Sequence, residues 1–166
     1  HPGKKLQMMG MEFGQWPEWD EDTSLAWDQS NFMPHRGLQL MMRDINHVYQ
    51  NTPALYEVDF DGHGFEWLDC DDAEQSLLSY ARRDKNGGTV IVALNLTPVP
   101  RHDYRLGVFE AGNYQEIMNT DAAAYGGSDM NNAGGVSSQQ IGTMGKEHSI
   151  SIHLPPLSCV IFAHKK

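Results

Sequence analysis

The chain has 166 residues, with 12 Lys plus Arg against 22 Asp plus Glu for a net charge of -10. A nucleic-acid surface needs clustered cations to displace counterions, and nothing here is denser than Lys4-Lys5, Arg82-Arg83 and Lys165-Lys166. The longest apolar stretches, near Thr89 to Leu96 and Leu157 to Ala163, fall far short of the roughly 20 residues of a membrane-spanning helix, so neither nucleic acid nor membrane is an expected partner.

With 40% hydrophobic and 20% charged residues, the composition is that of a globular protein able to bury a core. The two cysteines, Cys70 and Cys159, form no disulfide framework or zinc spacing, which makes a reducing cytoplasm the default location and leaves one bridge between them open. The first residue is His1, and His1-Pro2-Gly3-Lys4-Lys5-Leu6 lacks the order of a secretory signal. The chain is therefore expected to be cut from something longer.

Lys5 to Met11 reads as a short buried strand, followed by a long loop from Glu12 to Phe32. Asn31-Phe32-Met33-Pro34 then signals a helix start, because proline is tolerated in a first turn. Leu38, Met41, Met42, Ile45, Val48 and Tyr49 continue at helical spacing, and Pro53 ends the run. Strand, elaborate loop and helix make one β/α unit, which cannot bury both faces of its strand alone.

From about Asp59 the pattern changes. Strands are expected near Phe65 to Asp69, Ser76 to Arg83, Thr89 to Leu96, Tyr104 to Val108, Tyr114 to Asn119, Ser149 to Leu154 and Cys159 to Ala163. Asp84-Lys85-Asn86-Gly87-Gly88 is a hairpin signal, since Asn and Gly accept positive φ at little cost. Short strands without intervening helices indicate an antiparallel β-sandwich. The Gly-, Asn- and Ser-rich segment from Asp121 to Glu147 is then a long loop, either functional or mobile.

The densest chemistry lies in the first loop, which carries Glu12, Phe13, Gln15, Trp16, Glu18, Trp19, Asp20, Glu21, Asp22, Trp27 and Asp28. Flat aromatic rings stack on the apolar faces of pyranose sugars, and carboxylates meet the directional hydrogen bonds of sugar hydroxyls. The same rings also suit packing beneath a loop. Glycoside chemistry needs two carboxylates on opposite sides of a bond. These acids crowd one loop without rigid elements to hold them apart, so none is assigned as catalytic.

Trp67, on a predicted strand with Phe65 on its face, suits either core packing or a surface sugar platform. Eight scattered His residues show no metal-ligand spacing. Asp59-Phe60-Asp61-Gly62 lacks the later ligands of a calcium loop and reads as a turn. Asn95-Leu96-Thr97 matches a glycosylation sequon inside an apolar strand and reads as coincidence.

Several words of the sequence then form a recognisable set: His1-Pro2-Gly3-Lys4-Lys5-Leu6, Met9-Gly10-Met11-Glu12-Phe13-Gly14-Gln15, His35-Arg36-Gly37, Arg43-Asp44-Ile45-Asn46, Gly64-Phe65-Glu66-Trp67, Asn95 to Arg101, Tyr125-Gly126-Gly127-Ser128 and Leu154-Pro155-Pro156-Leu157. In combination they closely resemble bacterial 1,4-α-glucan (glycogen) branching enzymes, of the α-amylase superfamily. Pro17, Asp20 and Ala26 depart from the usual residues of the loop.

The resemblance implies that residues 1–58 are a remnant of a (β/α)8 barrel, comprising its eighth strand, rim loop and helix, and that 59–166 are the C-terminal all-β domain. Barrel active sites lie at the C-terminal ends of strands, so Glu12, Trp16, Trp19 and Trp27 would line the glucan cleft, while Trp67 stays a candidate surface glucan contact on the reading of its own strand. It further implies an α-glucan substrate such as glycogen or maltooligosaccharides, an upstream barrel as partner, and no metal or organic cofactor. The family's catalytic acids sit upstream of His1, so the chain alone is expected to be inactive. The alternatives are a non-catalytic glucan-binding module, or the end of another superfamily enzyme such as a debranching hydrolase.

Overall fold

A computed structural model describes residues 2–165. His1 and Lys166, which bound the two expected segments, lie outside the described residues. The elements are one helix, α1 (Met33–Asn51), and eight strands: β1 (Phe65–Asp69), β2 (Leu77–Arg83), β3 (Thr89–Asn95), β4 (Arg101–Val108), β5 (Asn113–Asn119), β6 (Gly135–Ser137), β7 (His148–Leu154) and β8 (Ser158–Lys165). Short 3-10 turns occupy Trp27–Asn31, Pro53–Leu55, Gly62–Gly64 and Ala123–Tyr125.

All strand pairings are antiparallel. A six-stranded sheet in the order β1-β2-β3-β8-β5-β6 packs on a two-stranded sheet, β4-β7. This is the expected sandwich. Period-two alternation sends Leu77 and Ala81 of β2, Ile91 and Ala93 of β3 and Val160 and Phe162 of β8 inward, where they meet Leu106 and Val108 of β4 and Ile150, Ile152 and Leu154 of β7. The opposite face of the larger sheet is covered in part by the Pro53–Leu55 turn, which packs on β2 and β3 near the buried Val90 and Val92.

The helix starts with Phe32 as N-cap and Pro34 in the first turn, as its sequence signals require, and Thr52-Pro53 closes it. Two expectations change. Lys5 to Met11 forms no strand: residues 4–9 are exposed and irregular, and turns begin at Met9. No strand of the sheets pairs with this segment, and an unpaired strand would leave its backbone ladder open.

Second, the segment from Asp121 to Glu147 is tied down. The Asp121 carboxylate accepts from the Ser128 backbone N–H (2.9 Å), the Ser128 hydroxyl (2.6 Å) and the Met130 N–H (3.1 Å). Asn132 donates to Glu116 and to the His153 carbonyl, and accepts from the His153 N–H at 2.7 Å. Within the segment β6 adds a short edge strand to β5.

Other side chains settle smaller questions. Asn95 is wholly buried and donates to the Val99 and Pro155 carbonyls, so it is a structural residue rather than an acceptor for glycosylation. Cys70 and Cys159 are both free. Glu66 accepts from both Lys146 and Arg83, whose cations also lie over the Phe109 ring.

Burial alone would raise the Glu66 carboxyl, but its bonds to Lys146 and Arg83 and their charges outweigh that and hold it below its ordinary 4.5. A lowered carboxylate contributes stability above its unfolded-state value, and that contribution disappears as pH falls through the folded one. Glu66→Gln is therefore expected to flatten the loss of stability below about pH 4.5. Urea midpoints measured between pH 7 and 3 test this, and parallel curves for both proteins would refute it.

Candidate functional site

The segment between residues 8 and 35 folds as a series of turns against the start of α1. Gly10 and Gly14 take positive φ, and Gly14 approaches α1 so closely that an added Cβ would sit 2.6 Å from a methyl of Leu38. Phe13 is fully buried and meets the Trp27 ring at a centroid distance of 5.0 Å. The His35 Nδ1 lies 2.8 Å from the Phe13 carbonyl oxygen, which only an Nδ1–H can satisfy. The other ring nitrogen, Nε2, is buried and has no hydrogen-bond partner among the described residues.

Gln29, also buried, accepts the Trp16 backbone N–H on Oε1 at 2.9 Å. The Gln15 Oε1 accepts the Ala26 N–H at 3.3 Å, closing the loop on itself. The sugar-contact candidates therefore have different surroundings. Trp16 is 74% exposed, Trp27 is 52% exposed with its ring against Phe13, Trp19 is exposed beside Pro17, and Glu12 is half-buried. A shallow cavity of about 200 Å³ lies between Met8–Met11, Gly14, Gln15, Pro17 and Trp19. Glu18, Asp20, Glu21 and Asp22 lie in the exposed run, where Asp20 accepts the Asp22 N–H. They form a solvated acidic face.

Trp67 occupies a different surface. It stands on β1, 45% exposed, edge-on to Phe65 (5.0 Å, 88°) and to Tyr80 across the strand pair (5.9 Å, 84°). The sheet's interior takes Leu68 instead. Of the two readings of Trp67, core packing is set aside in favour of a surface aromatic cluster. Burial pushes the Tyr80 hydroxyl up to about 12, so it stays protonated at all ordinary pH values.

Sequence reasoning overlooked four side chains. Phe32, Gln29 and His35 organise the loop; Phe32 stood only in the helix-start signal and His35 in the His35-Arg36-Gly37 word, while Gln29 stood in neither. Asp59, read as part of a turn, is buried and paired with Arg82 at 2.6 Å. Among the described residues no group of three or more His, Cys, Asp or Glu side chains is placed to hold a metal ion, and no helix is long and apolar enough to cross a membrane.

Residues 67–165 match the family model described as the alpha amylase, C-terminal all-beta domain. The chain is 50% identical over 166 residues to the 1,4-alpha-glucan branching enzyme GlgB of Aquifex aeolicus (strain VF5), covering 99% of the chain and 26% of that protein. It is 48% identical over 165 residues to the protein of the same name from Synechococcus sp. (strain WH7803), covering 99% of the chain and 22% of the relative. The chain thus spans about a quarter of the length of these relatives. Among solved structures, the catalytic module of the multi-modular glycogen-degrading pneumococcal virulence factor SpuA aligns over 86% of the chain and 20% of its own, with a TM-score of 0.53 at 10% identity, a likeness of fold.

Proposed function

Because the chain belongs to the family of alpha amylase C-terminal all-beta domains, we propose that it is the carboxy-terminal part of a 1,4-α-glucan branching enzyme. The observation that carries this is the 50% identity to a branching enzyme over 99% of the chain, which includes the first 66 residues that the all-beta family model does not match. In this reading residues 1–58 belong to the last β/α unit of a (β/α)8 barrel, and 59–166 are the β-domain. Residues 5–11 become a strand when the neighbouring barrel strands supply its hydrogen bonds.

The reaction cleaves an α-1,4 bond, holds the released segment as a covalent glycosyl-enzyme, and passes it to a 6-hydroxyl with net retention. A retaining mechanism needs two carboxyl groups about 5–5.5 Å apart on rigid supports. The loop acids of this chain lie on an exposed, irregular run, so the reacting carboxylates come from the upstream barrel. The contribution here is to the cleft rim, through Glu12, Trp16, Trp19 and Trp27. The substrate is an α-glucan, and the setting is the cytoplasm.

Incubated with linear amylose, the 166-residue chain is expected to form no α-1,6 branches, whereas the chain joined to its upstream barrel forms them. Anomeric proton signals distinguish the two linkages. Branches made by the chain alone would overturn the assignment of its role. A second reading, a glucan-binding module without turnover, draws on the exposed Trp67 and its neighbours Phe65 and Tyr80.

A further inference from the structure

Building on the proposed placement of the loop at a glucan cleft, we propose that Trp16 and Phe32 together form a two-ring platform for neighbouring glucosyl units, with the Gln29 side-chain amide donating to a sugar hydroxyl beside it. Phe32 stood outside the aromatic residues that the loop's composition singled out. Its ring plane lies 17° from that of Trp16 with centroids 6.3 Å apart, a nearly parallel arrangement. Both rings are open to solvent, Phe32 at 53%. Adjacent units of a glucan chain present successive apolar ring faces, and two fixed, parallel aromatic faces match that better than rings set at right angles.

The support beneath the pair separates it from an accidental patch. Gln29 anchors both residues: its Oε1 accepts the Trp16 N–H at 2.9 Å, and its backbone carbonyl accepts the Phe32 N–H at 2.9 Å. The Phe32 carbonyl in turn accepts the Arg36 N–H as the first bonds of α1 form. His35, tied to the Phe13 carbonyl, sets its ring edge-on to Trp16 at 4.8 Å and 69°. The platform is thus held from the loop and the helix start alike, which lowers the ordering cost of binding.

The same geometry leaves a donor. Because Gln29 must present Oε1 to the Trp16 N–H, its Nε2 faces away, and no described residue accepts a hydrogen bond from it. A sugar hydroxyl satisfies that group. No charged side chain pairs with either ring among the described residues, which suits a neutral, polyhydroxylated ligand better than an ionic one. Trp27, whose ring packs on the buried Phe13, is a weaker candidate because part of its surface is committed to the protein.

Calorimetric titration of the chain with maltoheptaose tests the platform. Phe32→Ala and Trp16→Ala are each expected to raise Kd about five- to tenfold, the equivalent of one aromatic contact. Phe32→Tyr keeps the ring and is expected to recover most of the affinity, which a general unfolding of the loop would not allow. Affinity unchanged in both alanine variants overturns the platform and leaves the loop's placement at a glucan cleft standing. If Trp67→Ala alone abolishes binding, the sugar sits on the outer face of the sheet and the platform falls. No binding by the unsubstituted chain at millimolar sugar overturns the platform together with the loop's role as a glucan contact.

Discussion

Asp59→Ala is expected to destabilise the protein by about 3–5 kcal/mol, the cost of removing one member of a buried ion pair. Arg82 is 0% exposed and points from β2 to the outer face of the larger sheet, where its guanidinium meets the Asp59 carboxylate at 2.6 Å and donates from Nε to the Gly64 carbonyl at 2.8 Å. Lys5 reaches the second Asp59 oxygen at 3.6 Å, but that amine is half in solvent and adds little. The pair fastens the segment between α1 and β1 to the sheet. Gly64 permits the approach, since a Cβ there would lie 2.0 Å from the Val58 carbonyl oxygen.

In a protein of this size the loss corresponds to a fall in Tm on the order of 10 °C. Because the pair is buried, raising salt is expected to change the difference little. Arg82→Met in the Asp59→Ala background removes the buried cation as well and should restore part of the loss. A urea-derived difference below about 1 kcal/mol for the single variant would mean that Arg82 reaches water when its partner is removed.

The residues that were legible in the sequence are those whose partners follow a local rule. β1 was expected from Phe65 to Asp69 and occupies those residues, β3 differs from its expected span by one residue, and Asp84-Lys85-Asn86-Gly87-Gly88 makes the hairpin between β2 and β3. Alternation and turn chemistry carry that information within a few residues. β6 has three residues and exists only because Tyr114 and its neighbours on β5 offer an open edge. The bonds that fix Asp121 to Ser128 and Asn132 to His153 leave no periodic trace.

Lys5 to Met11 failed as a strand for a related reason: a parallel strand is defined by neighbours, and its composition describes a burial that the described residues do not provide. The candidate site was legible at the level of the loop. Composition marked it as aromatic and acidic, but the partition of its rings depends on contacts across the start of α1. Phe13 turns inward and Trp16 outward because Gln29 and His35 hold the backbone between them, and nothing in the spacing of these four residues announces it.

Phe162→Ala is expected to cost a further 3–5 kcal/mol-class loss, about the value for emptying a large aromatic from a core that relaxes only partly. Phe162 is fully buried on β8, flanked across the strands by Ile91 of β3 and Glu116 of β5, and belongs to the cluster shared with β4 and β7. Phe162→Leu fills part of the space and should cost less. The consequence extends to α1, because the helix is joined to the β-domain through the loop after β5. The Tyr125 hydroxyl donates to Asp44 at 2.9 Å, and Gly37 lies so close that a Cβ would sit 2.4 Å from the Tyr125 carbonyl oxygen. The helix's own apolar residues, Leu38, Met41, Met42 and Ile45, are only half-buried, so its stability depends on that junction. Amide exchange in α1 is therefore expected to accelerate together with that of β5 and β8 in the Phe162→Ala protein. If α1 keeps its protection while the sheet loses its own, the helix and loop fold as a separate unit, and the junction at Tyr125 is a contact rather than a support.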